Sequence, residues 1–348
     1  MRVETTIPMN DWRSAGDAAR AAESAGFDGI TSFDIANDPF PPLAFAAVAT
    51  ERIALGTGIV VAFPRSPMVV AQTSLDLHRE SGGRFHLGLG SQVKGHNVRR
   101  FSVPWSAPVP RLREYVESLR AIWRCWERQE PLRYEGEHYR FTLMTPEFSP
   151  PPSGLPPIPV SIAAVGPAMM KLAGRLCDGV RLHGFATRKY VEEIALPKVE
   201  EGLRQNPRAR SQFDVWGGGF IATGADEAEL QKSVDEIRYR IAFYGSTRSY
   251  HGVLAVHGWE ELGLKLHELS KRGRWAEMAS QVPDEVVRAF AAVGTHDEIT
   301  RAVEDRFGGL SDTVALGFSA RTDPGLAREI VQDIRRIPSA FEGYATEW

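Results

Sequence analysis

The chain alternates between two hydrophobic patterns. Short β-branched or aromatic runs lead into loops that contain Gly or Pro, and longer segments follow whose apolar residues recur at helical spacing. Such alternation is typical of parallel strands joined by helices. The pattern predicts eight strands, near residues 2–7, 28–32, 53–60, 84–89, 158–163, 178–183, 213–221 and 313–317.

Helices are predicted between these strands and after the last one. They lie near residues 14–25, 42–50, 67–80, 110–127, 167–176, 187–205, 225–243 and 324–336. Ser66-Pro67, Gly166-Pro167 and Asp323-Pro324 mark helix starts, because Pro is favoured at the first helical position. Eight such units predict an α/β fold, a (β/α)8 TIM barrel formed as a single domain by residues 1–348.

Two segments depart from this alternation of strands and helices. Residues 128–157 contain a predicted hairpin at Tyr134 to Tyr139 and then a Pro-rich connection. Residues 244–308 contain extra helical patterns before the last strand, one of them marked by Leu262, Leu266 and Leu269. This excursion is compatible with a lid, with a subunit contact, or with a purely structural addition.

Composition and charge exclude several classes of function. The 348 residues are 43 % hydrophobic and 24 % charged, which is an ordinary globular balance. The net charge of −3 and the absence of a basic block argue against nucleic-acid binding. The chain has only two cysteines and no motif with the spacing of metal ligands. These features argue against a disulfide framework and against a metal site. The first residues read directly as a strand, and no run of 18 apolar residues occurs, so we expect a cytoplasmic protein without a membrane segment.

In a barrel of this kind the active site lies at the C-terminal ends of the strands. Asp34 follows the second strand, where its carboxylate could accept a proton or a ring N–H, or could cap a turn. His96 and Asn97 follow the fourth strand, and His183 ends the sixth. We treat Asp34, His96 and His183 as candidate catalytic residues, with a structural role as the alternative for each.

A second feature is the passage from the fifth strand into its helix, through Ala163, Ala164, Val165, Gly166 and Pro167. Small residues with free N–H groups at a helix N-terminus favour an anion such as phosphate. The alternative is a tight turn with nothing bound. Paired glycines in the third and fourth strands, at positions 56, 58, 88 and 90, indicate a bulge, a close approach to something flat, or a crowded barrel interior.

Several of these motifs recur in one order in a known family. The Ala25 to Asp28 turn, the Leu55 to Ile59 run, the Gly83 to Gly90 run and Asp178-Gly179 together resemble the luciferase-like monooxygenase superfamily. Within it the chain is most similar to the actinobacterial branch assigned to the deazaflavin coenzyme F420. That likeness is carried by the runs 64–72, 241–247 and 273–278.

The resemblance implies roles for particular residues. Gly58-Ile59 would carry a non-prolyl cis peptide behind the cofactor ring, and Asp34 would lie beside the ring. The turn at 163–167, with His183 nearby, would bind the phosphate of the cofactor. Asn97, after the fourth strand, is a further candidate cofactor-binding residue. Many relatives have Asp-His at the end of the second strand, whereas this chain has Asp34-Ile35, so His96 or His183 would have to replace that His.

These observations predict an oxidoreductase that transfers hydride between coenzyme F420 and a small organic substrate. An apolar substrate wall would be formed by Phe33, Phe63, Trp105, Phe185, Trp216 and Phe318, unless these are core residues. The alternatives are a monooxygenase that uses reduced FMN, molecular oxygen and a separate reductase, and a non-catalytic barrel subunit. By resemblance we also expect a homodimer.

Overall fold

The computed structural model describes residues 1–206, 208–318 and 322–348. Its strands are β1 (Arg2–Thr6), β2 (Gly29–Ser32), β3 (Ala54–Thr57), β4 (Val60–Val61), β5 (Phe85–Gly90), β6 (Tyr134–Glu135), β7 (Arg140–Phe141), β8 (Val160–Ala164), β9 (Gly179–Leu182), β10 (Asp214–Gly217), β11 (Phe220–Gly224), β12 (Ala291–Thr295) and β13 (Thr313–Ala315).

Its helices are α1 (Trp12–Ser24), α2 (Phe40–Ala49), α3 (Pro67–Glu80), α4 (Lys94–Arg99), α5 (Pro108–Arg128), α6 (Pro167–Leu176), α7 (Arg188–Tyr190), α8 (Leu196–Leu203), α9 (Glu227–Gly245), α10 (His251–Ala255), α11 (Glu260–Lys271), α12 (Trp275–Met278), α13 (Asp284–Phe290), α14 (Ile299–Phe307) and α15 (Pro324–Arg335). A π-helical turn over Val191–Ala195 joins α7 to α8.

The main sheet is parallel and closed. Its strand order is β3-β2-β1-β13-β10-β9-β8-β5-β4, and β3 also pairs with β5, which completes the ring. Because β3 and β4 are two parts of one barrel position, the ring has eight positions. The predicted (β/α)8 barrel is therefore confirmed.

Local sequence signals account for several helix starts. The Ser66 hydroxyl accepts from the Met68 amide, and the Asp323 carboxylate accepts from the Gly325 and Leu326 amides, so these residues cap α3 and α15 as expected. In α5 one face is buried, including Leu112, Leu119, Trp123 and Trp126. The core of the molecule lies between such helix faces and the outward side chains of the barrel strands.

The predicted strand at 213–221 is wrong as a single strand. Gly217 and Gly218 have φ values of +79° and +95°, a region that favours glycine, and they turn the chain out of the barrel after β10. The following strand, β11, pairs in parallel with β12 outside the barrel. The excursion at 244–308 contains the predicted helices, but it also contains β12, which the helical patterns did not indicate.

The predicted strand at 53–60 is interrupted in the same way. The Gly58-Ile59 peptide bond is cis, as the resemblance implied, and it separates β3 from β4. The predicted hairpin is confirmed, since Tyr134 and Glu135 pair antiparallel with Phe141 and Arg140. Among the described residues, no helix combines the length and the apolar character needed to cross a membrane.

The chain after α15 closes the N-terminal end of the barrel. The Asp312 carboxylate, just before β13, accepts from the Ser339 hydroxyl at 2.9 Å and from the amides of Ala340 and Phe341 at 3.1 Å. The Tyr344 hydroxyl donates to Asp214 at 3.0 Å, at the start of β10. The opposite end, where the strands finish, carries the predicted site residues.

Candidate active site at the C-terminal mouth of the barrel

The cis bulge is held by the end of β2. The Gly58 amide donates to the Ser32 carbonyl at 2.7 Å, and the Asp34 amide donates to the Ile59 carbonyl at 3.0 Å. A Cβ atom on Gly58 would lie 2.3 Å from the Thr31 Cγ2 and 3.2 Å from the Phe33 ring. Only glycine therefore fits at this position, and the backbone of the bulge forms part of the barrel mouth.

The Asp34 carboxylate is almost fully buried and already bonded. It accepts from the Arg65 guanidinium at 2.6 Å and from the Val61 amide at 3.0 Å, and its side chain is 5 % exposed. Arg65 also pairs with Asp38 at 3.0 Å. Asp34 thus ties the segment after the cis peptide to the loop after β2. A catalytic or ring-binding role for Asp34 remains a prediction beside this structural one.

The turn from β8 into α6 is open. Gly166 caps α6 with extended backbone, and a Cβ atom placed on it would meet no atom within 4 Å. The Met169 and Met170 amides donate to the Gly166 carbonyl, whereas the Gly166 and Ala168 amides have no acceptor among the described residues. Unpaired amides at a helix N-terminus favour an anion. Ala163 and Ala164, the last residues of β8, lead into this turn.

A small cavity lies behind the turn, and His183 lines it together with Val165 and Tyr190. The Tyr190 hydroxyl donates to the Val165 carbonyl at 2.7 Å, which fixes the turn. The structure thus brings together two of the predicted features, the β8–α6 turn and His183.

His183 is held in one orientation and in one protonation state. Its Nδ1 accepts from the Phe185 amide at 2.9 Å, and its ring packs edge-on against Tyr244 and Tyr250 at 4.3 and 5.0 Å between centroids. Desolvation by these neighbours lowers the pKa of His183 to about 4. At neutral pH His183 is therefore uncharged, and because Nδ1 is an acceptor the proton lies on Nε2.

His96 and Asn97 lie in α4, which the sequence patterns did not indicate. His96 is exposed. Asn97 is fully buried, and its side-chain amide donates to the Ser91 carbonyl at 2.8 Å. Its Oδ1 is buried and has no hydrogen-bond partner among the described residues. Asn97 therefore organises the turn after β5, and its roles and those of His96 in binding or catalysis remain predictions.

The site contains a buried cation that sequence reasoning missed. Arg181, on β9, is 6 % exposed and extends across the barrel interior. Its Nε donates to the Ser161 hydroxyl at 3.1 Å, and its Nη1 lies 3.9 Å from the Glu4 carboxylate. Its guanidinium carbon is 4.8 Å from the centre of the Trp216 ring.

Glu4 and Trp216 belong to the same interior layer. The Glu4 carboxylate accepts from the Thr31 hydroxyl and from the Trp216 indole N–H, each at 2.8 Å. Trp216 therefore bonds inside the barrel, below the mouth, and contributes to the Arg181 environment. Glu4 and Trp216 are satisfied in this network, whereas the Arg181 Nη1 has no hydrogen-bond partner among the described residues.

Glycines in β3 and β5 make room for Arg181. A Cβ atom on Gly56 would lie 3.3 Å from its Nη2, and one on Gly88 would lie 2.8 Å from its Nε and 2.0 Å from the Thr57 carbonyl oxygen. The sequence left open a flat ligand or a crowded interior as the reason for these glycines. At Gly56 and Gly88 the structure favours the crowded interior. The sequence signal that could have indicated Arg181 was its position as a charged residue within an otherwise apolar strand.

The predicted aromatic wall is dispersed. Phe185 is buried against Phe290 and Tyr250, and Phe318 packs against Phe27 and His296, so both are packing residues of the surrounding structure. Phe63 is buried beneath the Arg111 guanidinium. Phe33 lies at the cis bulge, and Trp105 is partly exposed.

The fold and site together define a (β/α)8 barrel. Its mouth combines a glycine bulge, an open turn whose unpaired amides favour an anion, and a neutral histidine. A comparison with family models matches residues 2–313 to the luciferase-like monooxygenase family. The chain therefore belongs to this family of oxidoreductases.

The similarity to known proteins extends over most of the chain. An uncharacterized protein of Mycobacterium tuberculosis is 44 % identical over 97 % of this chain and 98 % of its own length. A putative coenzyme F420-dependent oxidoreductase of the same organism is 29 % identical, over 81 % of this chain and 84 % of its own. A 5,10-methylenetetrahydromethanopterin reductase of Archaeoglobus fulgidus is 28 % identical, over 82 % and 83 %.

Solved structures share the fold. The coenzyme F420 dependent tetrahydromethanopterin reductase of Methanopyrus kandleri superposes with a TM-score of 0.78 at 23 % identity, covering 96 % of this chain and 98 % of its own. The oxygenating constituent of 3,6-diketocamphane monooxygenase from Pseudomonas putida, in complex with FMN, gives a TM-score of 0.65 at 16 % identity, covering 97 % and 98 %. At these identities the likeness concerns the fold alone.

Proposed function

We propose that this protein is a coenzyme F420-dependent oxidoreductase that transfers hydride to or from a small organic substrate. The observation that carries the proposal is the open β8–α6 turn, where a side chain on Gly166 would meet no atom within 4 Å and two amides lack an acceptor. The name of one relative, a putative coenzyme F420-dependent oxidoreductase, supports the deazaflavin over FMN.

The residues at the mouth fit an anionic cofactor with a ring. The amides at Gly166 and Ala168 would hold a phosphate, and Val165 and Pro167 would frame it with Ala163 and Ala164 at the strand end. His183 is uncharged, so it would contribute an Nε2 hydrogen-bond donor and not a second positive charge. The Gly58-Ile59 backbone would form a surface for the ring, held in place by the bonded pair Asp34 and Arg65.

When bound, the deazaflavin supplies the carbon that accepts or donates the hydride. The chain binds and orients it and excludes water from the inner side of the ring site, because the residues below that site are buried. Any proton that the substrate gains or loses needs a separate group. His96 and His183 remain the candidates for that step, since Ile35 stands where many relatives have His.

Fluorescence titration of the purified protein with F420 and with FMN tests the proposal. Tight F420 binding and weak FMN binding are expected. Preferential binding of FMN would instead favour the monooxygenase alternative, with oxygen as co-substrate and a reductase as partner. Stoichiometric cofactor binding without redox turnover of aldehydes, ketones and unsaturated compounds would favour a non-catalytic subunit. Binding of neither cofactor would contradict the proposed site.

The variant Gly166→Val tests where the phosphate binds. We expect at least tenfold weaker cofactor binding, about 1.4 kcal/mol, because the valine would occupy the open turn. Gly252→Val is the matched control, since a Cβ atom on Gly252 also meets no atom within 4 Å. Both variants should keep the wild-type melting temperature. Unchanged affinity in Gly166→Val would refute the phosphate assignment.

A further inference from the structure

The guanidinium of Arg181 lies directly below the part of the mouth proposed to hold the ring. A Cβ atom on Gly58 would be 3.4 Å from the Arg181 Nη1, which is a van der Waals contact. The Thr31 and Phe33 side chains border the same position at 2.3 and 3.2 Å, so the guanidinium reaches the bulge beside them. A cofactor ring resting on this backbone would therefore have a cation one layer beneath it.

The positive charge of Arg181 is only partly compensated. Its Nη1 is buried and has no hydrogen-bond partner among the described residues, and its side chain is 7 % exposed. Glu4 is its nearest carboxylate, but at 3.9 Å the pair lies beyond hydrogen-bonding distance. The nearer Glu4 oxygen already accepts from Thr31 and Trp216. In a poorly solvated interior, an incompletely paired charge acts strongly on its surroundings.

Two further charged groups of the described barrel strands, Arg2 and Asp214, lie toward the N-terminal end. Arg2 and Asp214 begin β1 and β10, and burial raises the pKa of Asp214 to about 6. Burial and the cations Arg2 and Arg181 lower the pKa of His86, which keeps that ring uncharged at neutral pH. Among these charged side chains, Arg181 is therefore the one whose guanidinium lies near the Gly58 position of the bulge.

From this arrangement we propose that Arg181 sets the reduction potential of the bound cofactor by stabilising its reduced, negatively charged form. The inference rests on the proposed function. Hydride transfer from the substrate adds two electrons and one proton to the ring and so makes it more negative by one charge, while the substrate is oxidised by the same two electrons. A fixed cation below the ring stabilises the more negative, reduced form more than it stabilises the oxidised form.

The test measures the midpoint potential of protein-bound F420, or the ratio of its dissociation constants in the reduced and oxidised forms. In Arg181→Met the reduced form should lose at least tenfold more affinity than the oxidised form, a fall of about 30 mV for a two-electron couple. Arg181→Lys should retain most of the wild-type potential, because it keeps the charge.

Glu4→Gln provides a control in the opposite direction. It removes the counter-charge but keeps an oxygen that can accept from Thr31 and Trp216, so the potential should rise. This variant and Arg181→Lys keep the inference testable even where Arg181→Met fails to fold. Equal potentials in wild type and Glu4→Gln, or in wild type and a folded Arg181→Met, would overturn it. Failure of the wild type to bind cofactor at all would instead overturn the proposed function.

Discussion

Gly88 shows how the absence of one side chain shapes the barrel interior. A Cβ atom at this position would lie 2.0 Å from the Thr57 carbonyl oxygen, which is backbone and cannot move aside cheaply. We expect Gly88→Ala to lower the free energy of unfolding by about 3 kcal/mol or more. Urea unfolding followed by circular dichroism measures this loss.

Gly252→Ala is the matched control for that substitution, because Gly252 has open space around its Cβ position. It should leave the unfolding free energy within about 1 kcal/mol of wild type. If the two variants proved equally stable, the tight packing of β3, β5 and Arg181 described above would be wrong.

His183 makes stability depend on pH. Its pKa falls from an ordinary value of 6.5 to about 4 because burial disfavours the charged ring. Its contribution to folding stability is therefore complete above pH 6.5 and is lost as the pH falls through about 4. Relative to wild type, His183→Asn should gain stability between pH 6.5 and pH 4, by up to about 3 kcal/mol. Urea midpoints at pH 7.5 and pH 4.5 measure it, and a constant difference between the two proteins would count against a buried neutral ring.

At the scale of elements, a buried carboxylate joins α5 to the β6–β7 hairpin. The buried Glu114 side chain accepts from the amides of Glu137, His138 and Tyr139 at 3.1, 2.7 and 3.3 Å. Burial alone would raise the pKa of Glu114, but these amide hydrogen bonds lower it. Its contribution to stability is thus present above pH 4.5 and is lost as the pH falls through the lowered value.

Glu114→Gln should therefore cost about 2 kcal/mol of unfolding free energy at pH 7, since a neutral amide replaces a charged acceptor. Glu117→Gln, on the same helix but partly exposed, should cost less than about 1 kcal/mol, because the amide oxygen can still accept from the Tyr134 hydroxyl. Chemical unfolding of both variants checks the difference. A larger loss in Glu117→Gln than in Glu114→Gln would contradict this account of the hairpin.

The elements that could be predicted from sequence are those with a local signal. Helix α5 has a continuous apolar face, and α3 and α15 begin at a capping residue followed by Pro. Strand β12 lacked such a signal, because it directly follows α13 and pairs with a strand about 70 residues earlier in the chain. The division of β10 from β11 depends on positive φ values at Gly217 and Gly218, which a run of glycines allows but does not specify.

The candidate site was predictable to a similar degree. The β8–α6 turn and His183 stood out because each follows a strand end, and the structure brings them together at one cavity. Arg181 could not be found in this way, since its importance depends on side chains that it reaches across the barrel. Contacts such as Arg181 with Glu4, far apart in the chain, arise only when the ring of strands closes.

At the scale of the whole molecule, the C-terminal tail closes the end of the barrel opposite the mouth. Tyr344→Phe removes the hydrogen bond to the buried Asp214 and should cost about 1 kcal/mol of stability. Cofactor affinity should not change, because Tyr344 and the mouth are at opposite ends. Tyr239→Phe, at a half-exposed position, is the control. Thermal unfolding and F420 titration of both variants give the two readouts, and weaker F420 binding by Tyr344→Phe would contradict this separation.

The assembly of the molecule remains a prediction. A homodimer is expected from the family resemblance, and a reductase partner is expected only for an FMN-dependent monooxygenase. Sedimentation equilibrium of the purified protein, with and without cofactor, distinguishes a monomer from a dimer.

The central claim is that a ring-shaped cofactor binds across the C-terminal mouth of the barrel. A crystal structure of the protein soaked with F420 tests it most directly. We predict electron density for the ring against the Gly58-Ile59 backbone, above Arg181, and for the phosphate at the amides of Gly166 and Ala168. Density at any other place on the molecule, or a mouth filled by the protein's own side chains, would contradict the claim.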